Sequence, residues 1–506
     1  MTNDPSRTTN DPSRLVLVAS NRGPVSFSFA PDGTLSAKRG GGGMVSGLTS
    51  GLAAIAADGG VLWVCTALSD ADREAVRQGL RADDGPGDAP VRMLDIPSAT
   101  FDAAYNRVSN SVLWFVNHML FNTPSQPRFD AAFRRDWVSY EAYNQTFAEA
   151  LAGESGKATH VLVQDYHLAL VPRMLRDRRP GARIAHFQHT PWAPPEYFQM
   201  LPDDVAAELL DGMLGADHAG FLAERWADAF LDCCEVVLGA RVTRRYDLTG
   251  HATGQAGHSV GRVVGQVAHR GHVTEVAVHP LGVDAGELRE RAARDDVRAH
   301  VRTLRGQARG RQLIVRVDRT ELSKNIVRGL AAYRELLVTR PEWRGRVTHL
   351  AFAYPSRSGL PEYRAYTEQV TKLAQSVNEE FGTPDWEPVV LEVKDDYARS
   401  LAACSVADVL LINPIRDGMN LVAEEGPILS EQGCALVLSR EAGAAALFGE
   451  HTLLVNPFDV TATADALHAG LSMPADERWR RSVAIASAAS ARAPRYWLAE
   501  QLDALR

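Results

Sequence analysis

The chain has 506 residues, 45% hydrophobic and 23% charged, with a formal net charge of −8. That composition describes a soluble globular protein of two to four units at roughly 150 residues each, and it excludes the basic footprint of a nucleic-acid binder. Five scattered cysteines exclude a disulfide framework and a cysteine metal site, and they fit a reducing cytoplasm.

The first fourteen residues carry TNDPSR twice. With neither a basic start nor an apolar stretch, they are expected to form a disordered tail and not a signal peptide. Two uncharged runs, 40–57 and 108–127, are too rich in Gly, Ser, Asn and Pro to cross a bilayer. "LVLVASN" (15–21), "GVLWVC" (60–65), "HVLVQD" (160–165) and "RIAHFQH" (183–189) read as buried parallel strands, with helical patterns such as "LVPRMLRDR" between them. The Gly- and His-rich stretch 241–284 suggests hairpins or an insertion, and 286–308 reads as helical. A second strand series follows at 311–318, 347–354, 388–393, 408–413 and 435–439. The expected organisation is a tail (1–14), a Rossmann-like domain (15–285), a second Rossmann-like domain (286–480) and a C-terminal helix (481–506) packing back on the first.

Ligands of such sheets bind beyond the carboxyl ends of the strands. After the first strand, "SNRGPVSF" puts Arg22 where it could meet an anion. "KRGGGGMVSGL" runs four glycines into a helix, which suits phosphate binding and equally suits a surface turn. "VQDYHLALVP" ends a strand in Asp165, and "FQHTPWAPPEYF" ends one in His189 before three prolines. A lone strand-end Asp or His is more often structural. "VRVDRTELSKN" places Arg319 and Lys324 five residues apart, two cations able to neutralise a diphosphate or simply to line a solvated loop. "YPSRSGLPEY" adds Arg357 at another strand end. In "RDGMNLVAEEG", Gly418 would relieve steric limits, and the amides of Gly418 to Leu421 would be donors at the next helix start. Leu421 and Glu425 then share one helix face, with Glu425 available to ribose hydroxyls or serving only as a first-turn charge. The sequence has no HExxH and no compact His/Cys cluster.

Together "SNRGP", "GGGGMVSGL", "YNRVSNSVLWFVNH", "VQDYHLALVPRML", "HTPWAPPEYFQMLP", "VDRTELSK", "PSR" and "RDGMNLVAEE" resemble the trehalose-6-phosphate synthases, over about residues 15–504. The resemblance implies an α/β fold of the GT-B type, two Rossmann-like domains whose parallel sheets face a cleft. It implies a retaining glycosyltransferase without an essential metal or cofactor. Glucose would pass from a nucleotide-glucose to glucose 6-phosphate, giving α,α-trehalose 6-phosphate. Arg22, Tyr105, Trp114, Asp165 and Arg357 would form the acceptor site. Gly42, Gly43, Arg319 and Lys324 would face the donor diphosphate. His189, Asp417, Gly418, Met419 and Asn420 would hold the donor glucose, and Leu421 to Glu425 the nucleotide. Asp165, His189, Arg319, Lys324 and Asp417 would carry the catalysis. The expected partners are these two substrates, with no nucleic acid and no membrane, in the cytoplasm; a homo-oligomer is compatible with this.

Three positions depart from the family pattern. Asn325 replaces a glycine after the donor-site lysine, Leu222 a frequent glutamine, and Asp395 an aromatic near the base. A carboxylate at 395 could accept from guanine N1–H and N2–H₂, so GDP-glucose is favoured and UDP-glucose comes next. A missing partner at a buried position of this kind would cost roughly 1–3 kcal/mol. Asn325 also suits a pseudo-glycosyltransferase that couples a nucleotide-cyclitol to an aminocyclitol phosphate. A sugar-phosphate sensor with a decayed site is the non-enzymatic alternative, although every cationic and acidic motif position is present.

Overall fold

A computed structural model describes residues 15–39, 48, 49, 52, 60–79, 90–154, 160–245 and 261–506. The expected tail and the glycines Gly42 and Gly43 lie outside the described residues. The chain divides into two compact units, Met1–Pro280 with Pro494–Arg506, and Leu281–Ala493.

In the first unit, β-branched runs become β1 (Leu15–Ala19), β4 (Gly60–Thr66), β5 (Val91–Leu94), β6 (His160–Gln164), β7 (Arg183–Gln188) and β8 (His218–Phe221). An antiparallel pair, β2 (Val25–Phe29) and β3 (Leu35–Arg39), stands apart from them. The stretch expected to hold hairpins supplies β9 (Arg241–Arg244), β10 (Arg262–His269) and β11 (His272–Val278). Among the described residues the sheet order is β5-β4-β1-β6-β7-β8-β11-β10-β9, parallel from β5 to β11 and antiparallel beyond. Strand order reverses between β1 and β6, and that is where an open parallel sheet leaves a crevice at its carboxyl edge. Parallel strands are covered on both faces, so near-continuous apolar runs are what the sheet requires. Leu17, Val18, Val161, Leu162 and Ile184 are accordingly fully buried.

Two helices shape this crevice. Residues Ala131–Glu154 form a long helix that buries Phe133, Trp137, Tyr140, Phe147 and Leu151 along one stripe. Its Tyr140 hydroxyl donates to the Tyr166 carbonyl at 2.6 Å, and its Asn144 Oδ1 accepts from Leu170 N–H at 3.1 Å, so it braces the turn after β6. Residues Ala103–Leu113 form a widened π-type helix, a form that concentrates at functional sites. The C-terminal helix Pro494–Asp503 belongs to the first unit and buries Trp497 and Leu498.

The second unit is a parallel sheet of β12 (Gln312–Arg319), β13 (Val347–Tyr354), β14 (Val389–Glu392), β15 (Val409–Ile412), β16 (Ala435–Ser439) and β17 (Leu453–Val455). Its order is β14-β13-β12-β15-β16-β17, with the reversal between β12 and β15. Helix Ile326–Thr339 buries Ile326, Leu330, Tyr333 and Leu337 at helical spacing against Ile314, Val347 and Leu411. The stretch 286–308 splits into helices Ala285–Ala292 and Asp295–Ala308. Among the described residues no helix is long and apolar enough to cross a membrane.

Candidate functional site

Those expected residues of the first unit that are described gather around the β1/β6 reversal. Arg22 follows β1 and is exposed; its Nη2 lies 3.5 Å from the Tyr105 hydroxyl. Tyr105, on the π-type helix, stacks on His167 with centroids 5.5 Å apart, and His167 Nδ1 lies 3.7 Å from Asp165 Oδ2. Trp114 is buried against Tyr166 (5.9 Å) and His118 (3.9 Å).

Asp165 leaves β6 at φ 72°, a conformation costly for a side chain with Cβ and concentrated at functional positions. Bonds to the end of β7 help hold it there. Its amide donates to the Phe187 carbonyl at 2.7 Å, and its Oδ1 accepts from His189 N–H at 3.2 Å. Asp165 thereby joins the ends of β6 and β7. His189 places Nε2 2.9 Å from Gln164 Oε1, with its ring against Phe187 (4.8 Å) and Trp497 (5.7 Å). Burial, reinforced by His186, pushes its pKa down to about 3, so the imidazole is neutral near pH 7. It therefore acts through hydrogen bonds and not as a cation. Gln164, His167 and Trp497 were not singled out from the sequence. Gln164 and His167 flank Asp165 in a quoted motif and were findable, whereas Trp497 lies 308 residues from His189 and left no local signal. Leu222, the second departure, is buried just beyond β8.

In the second unit the site builds at the β12/β15 reversal. Arg319 ends β12 with an exposed side chain. Lys324 closes the short turn that follows, and its Nζ lies 2.5 Å from Asp417 Oδ2 beyond β15. Burial opposes the ammonium charge, but Asp417, Asp318 and Glu321 raise its pKa above the ordinary lysine value. A fully buried arginine supports this turn from below. Arg316 pairs with Asp318 at 2.8 Å and donates to the Lys324 carbonyl at 2.9 Å. A Cβ at Gly329 would stand 2.3 Å from Arg316 Nη1, so the following helix needs glycine there.

Asn325, the departure from the family glycine, sits at φ 58°, in the left-handed region that glycine and asparagine tolerate best. Its Nδ2 donates to the carbonyls of Asn413 (2.9 Å) and Pro457 (2.7 Å). The substitution thus keeps the backbone conformation and adds two buried bonds.

The turn at 417–420 differs from expectation in one respect. Asn420, and not Gly418, takes the left-handed conformation, at φ 80°. Its Nδ2 donates to Asp417 Oδ2 at 3.1 Å. The turn is backed by 441–444: Asp417 N–H donates to Glu441, Gly443 N–H to Asp417 and Ala444 N–H to Met419. A Cβ at Gly443 would lie 1.9 Å from the Gly418 carbonyl, a requirement for glycine that nothing near the turn announces in sequence. Met419 is buried and Leu421 partly exposed at the start of helix Val422–Leu429. Burial lifts the pKa of Glu425 to about 7. Burial also lifts Glu424 to about 8, although Val283 N–H donates to it at 3.1 Å.

Arg357, at φ 43°, donates from Nη1 to the Tyr363 hydroxyl at 2.6 Å. Asp395 is exposed in the segment after β14, so it lacks the buried setting assumed for reading a base. Glu321, absent from the expected set, is fully buried between the cations. Burial would raise its pKa, but Arg319, Arg357 and Lys324, with the Ser356 hydroxyl, hold it at about 2. Among the described residues no three His, Cys, Asp or Glu side chains converge as metal ligands. All five cysteines are buried and unpaired with one another.

Residues 14–506 match the sequence profile of glycosyltransferase family 20. A trehalose-6-phosphate synthase of Mycolicibacterium smegmatis is 33% identical over 494 residues, covering 97% of this chain and 92% of its own length. A probable UDP-forming α,α-trehalose-phosphate synthase of Arabidopsis thaliana is 30% identical over 472 residues, and the chain spans about half of that relative's length (54%). The crystal structure of a UDP-forming synthase from Burkholderia xenovorans in complex with glucose 6-phosphate superposes with a TM-score of 0.80 at 25% identity. That match covers 97% of this chain and 100% of the other.

Proposed function

The chain belongs to glycosyltransferase family 20, with the two-Rossmann GT-B fold, and from that premise we propose that it moves glucose from a nucleoside-diphosphate glucose to glucose 6-phosphate with retention, forming α,α-trehalose 6-phosphate. The observation that carries this reading is the cation pair at the β12/β15 reversal. Arg319 stands exposed there, and Lys324 is held charged by Asp417 2.5 Å away. As the sugar C1–O bond breaks, negative charge grows on the departing diphosphate, and fixed cations stabilise that charge most where water is excluded. The acceptor hydroxyl forms the new C1–O bond on the same face and passes its proton to the leaving phosphate oxygen. No protein base is required, and His189, its pKa pushed down to about 3 by burial, is too weak a base to be one.

In this reading Gly42 and Gly43 offer amides to the diphosphate, while His189, Asp417, Gly418, Met419 and Asn420 hold the donor glucose. Leu421 and Glu425 take the nucleoside. Arg22, Tyr105 and Arg357 take the acceptor phosphate, and Trp114 and Asp165 orient the acceptor sugar. The left-handed conformation of Asn325 accounts for its presence without the cyclitol-coupling alternative.

Two donor bases have support. Asp395, three residues beyond β14, is exposed, and a carboxylate there that accepts from guanine N1–H and N2–H₂ would favour guanine. The names of the Arabidopsis and Burkholderia relatives favour uridine. Our reading gives GDP-glucose the preference. Nucleotide release from GDP- and UDP-glucose, each with and without glucose 6-phosphate, tests both levels. Acceptor-dependent release chiefly from GDP-glucose supports the whole reading. Equal or better use of UDP-glucose removes the role of Asp395, and absence of acceptor-dependent release from either removes the synthase reading.

A further inference from the structure

Glu321 lies two residues beyond Arg319, where the sequence suggests a solvated loop, yet its side chain has 0% exposure. Its Oε1 accepts from the Ser356 hydroxyl at 2.9 Å and pairs with Arg319 Nη1 at 3.2 Å. Its Oε2 is buried with no hydrogen-bond partner among the described residues. The backbone ties the same elements together, since Glu321 N–H donates to the Arg319 carbonyl at 2.7 Å and Lys324 N–H to the Glu321 carbonyl at 3.0 Å. Ser356 directly precedes Arg357, whose guanidinium is steadied on Tyr363. One buried carboxylate therefore serves two loops, each carrying an arginine.

A buried carboxylate with unused acceptor capacity depends on the cations around it, and withdrawing one makes the others harder to withdraw. We propose that Glu321 is a shared counter-ion coupling Arg319 to Arg357, so that an anion held by one arginine weakens the binding of a second anion at the other. This rests on the reading in which Arg319 meets the donor diphosphate and Arg357 the acceptor phosphate. An anion that draws Arg319 away leaves Glu321 reliant on the Arg357 loop. The next anion must then compete with Glu321 for Arg357. The antagonism is reciprocal by linkage. Its consequence for turnover is that the nucleoside diphosphate left after transfer loosens the phosphorylated disaccharide beside it. Glu321 touches no reacting atom in this scheme and acts as a positioning residue.

Calorimetric titration of the full chain with glucose 6-phosphate, alone and with saturating UDP or GDP, tests the coupling. In the native chain the diphosphate is expected to weaken glucose 6-phosphate binding by about fivefold or more, and in Glu321→Gln by less than about twofold. Glu321→Gln is also expected to lower KM for glucose 6-phosphate together with kcat, as product release slows, while Glu321→Asp restores the native pattern. Ser356→Ala cuts the link to the Arg357 loop without touching the carboxylate, and is expected to reduce the coupling even if Glu321→Gln does not fold. Independent binding of the two ligands to the native chain, or full coupling retained in the folded variants, would overturn the proposal and leave the synthase reading standing. Failure of both ligands to bind the native chain would overturn both.

Discussion

Lys324 Nζ and Asp417 Oδ2 stand 2.5 Å apart although 93 residues separate them in sequence. The contact exists because β12 and β15 are neighbours at the point where strand order reverses, which brings the loop after one strand to the loop after the other. Asp417 does more than neutralise. It also accepts from Asn420 at 3.1 Å, and so fixes the turn in which the donor glucose is proposed to lie.

Lys324→Ala removes a cation from the departing diphosphate and leaves a mostly buried carboxylate unpaired. A kcat loss of roughly 10²- to 10³-fold is expected, with a smaller change in donor KM. Thermal denaturation should show a folded chain with a lowered Tm. Native turnover in this variant would remove Lys324 from the mechanism.

The proposed contact of Glu425 with ribose hydroxyls has a pH signature. Its pKa is raised to about 7, so the carboxylate that accepts those bonds forms only as pH rises through that value. Donor KM is expected to fall between about pH 6 and about pH 8, and Glu425→Gln to flatten that dependence. For folding the sign runs the other way. A glutamate whose folded pKa lies above its unfolded value binds more protons when native, so its contribution to stability declines as pH rises from the unfolded pKa to the folded one. Donor KM that is flat with pH in the native chain would contradict the contact.

Asn325 tests how far a family position can drift without changing the chemistry. Asn325→Gly removes two buried bonds but relieves a left-handed backbone, so a net cost of about 1 kcal/mol is expected in urea unfolding. Asn325→Ala loses the bonds and keeps the strain, and should cost about 2–3 kcal/mol. In both variants kcat should change far less than in Lys324→Ala. A large kcat loss in Asn325→Gly with unchanged stability would instead make Asn325 a substrate contact.

Trp497 reaches His189 from the far end of the chain, with its ring 5.7 Å from the imidazole and 4.9 Å from Phe187. Trp497→Ala is expected to admit water, raise the His189 pKa from about 3, and lower kcat roughly 10- to 100-fold through misplacement of the ring. Trp497→Phe should recover most of the loss. An NMR titration of His189 separates this role from general destabilisation, which would lower the amount of folded protein without moving the pKa.

Most of the strands were legible because a parallel sheet covered on both faces demands continuous apolar runs, and "LVLVA", "HVLVQ" and "DVLLI" are such runs. The positions of Arg22, Asp165, Arg319, Lys324 and Asp417 just beyond strands were legible because open parallel sheets leave their crevices at the carboxyl ends of the strands. What sequence hid was set by partners distant along the chain. Glu321 between two cations reads as a solvated loop residue, and only Ser356 and Arg319 reveal it as a buried hub. Gly418 looked like the special turn residue, yet the left-handed conformation falls on Asn420 because Asp417 holds its side chain. Asp395 stands where an aromatic is usual, which suggests a buried base contact, yet three residues beyond the end of β14 its side chain is exposed.

The most direct test of the central claim is the identity and linkage of the product. Incubation of the full chain with ¹³C-glucose-labelled nucleoside-diphosphate glucose and glucose 6-phosphate, followed by NMR of the disaccharide fraction, reads both. The account predicts a phosphorylated disaccharide whose two anomeric carbons are joined 1,1 in α,α configuration, absent when glucose 6-phosphate is withheld and lost in Arg319→Ala. A β-configured linkage, attachment at another hydroxyl, or labelled glucose released only to water would contradict it.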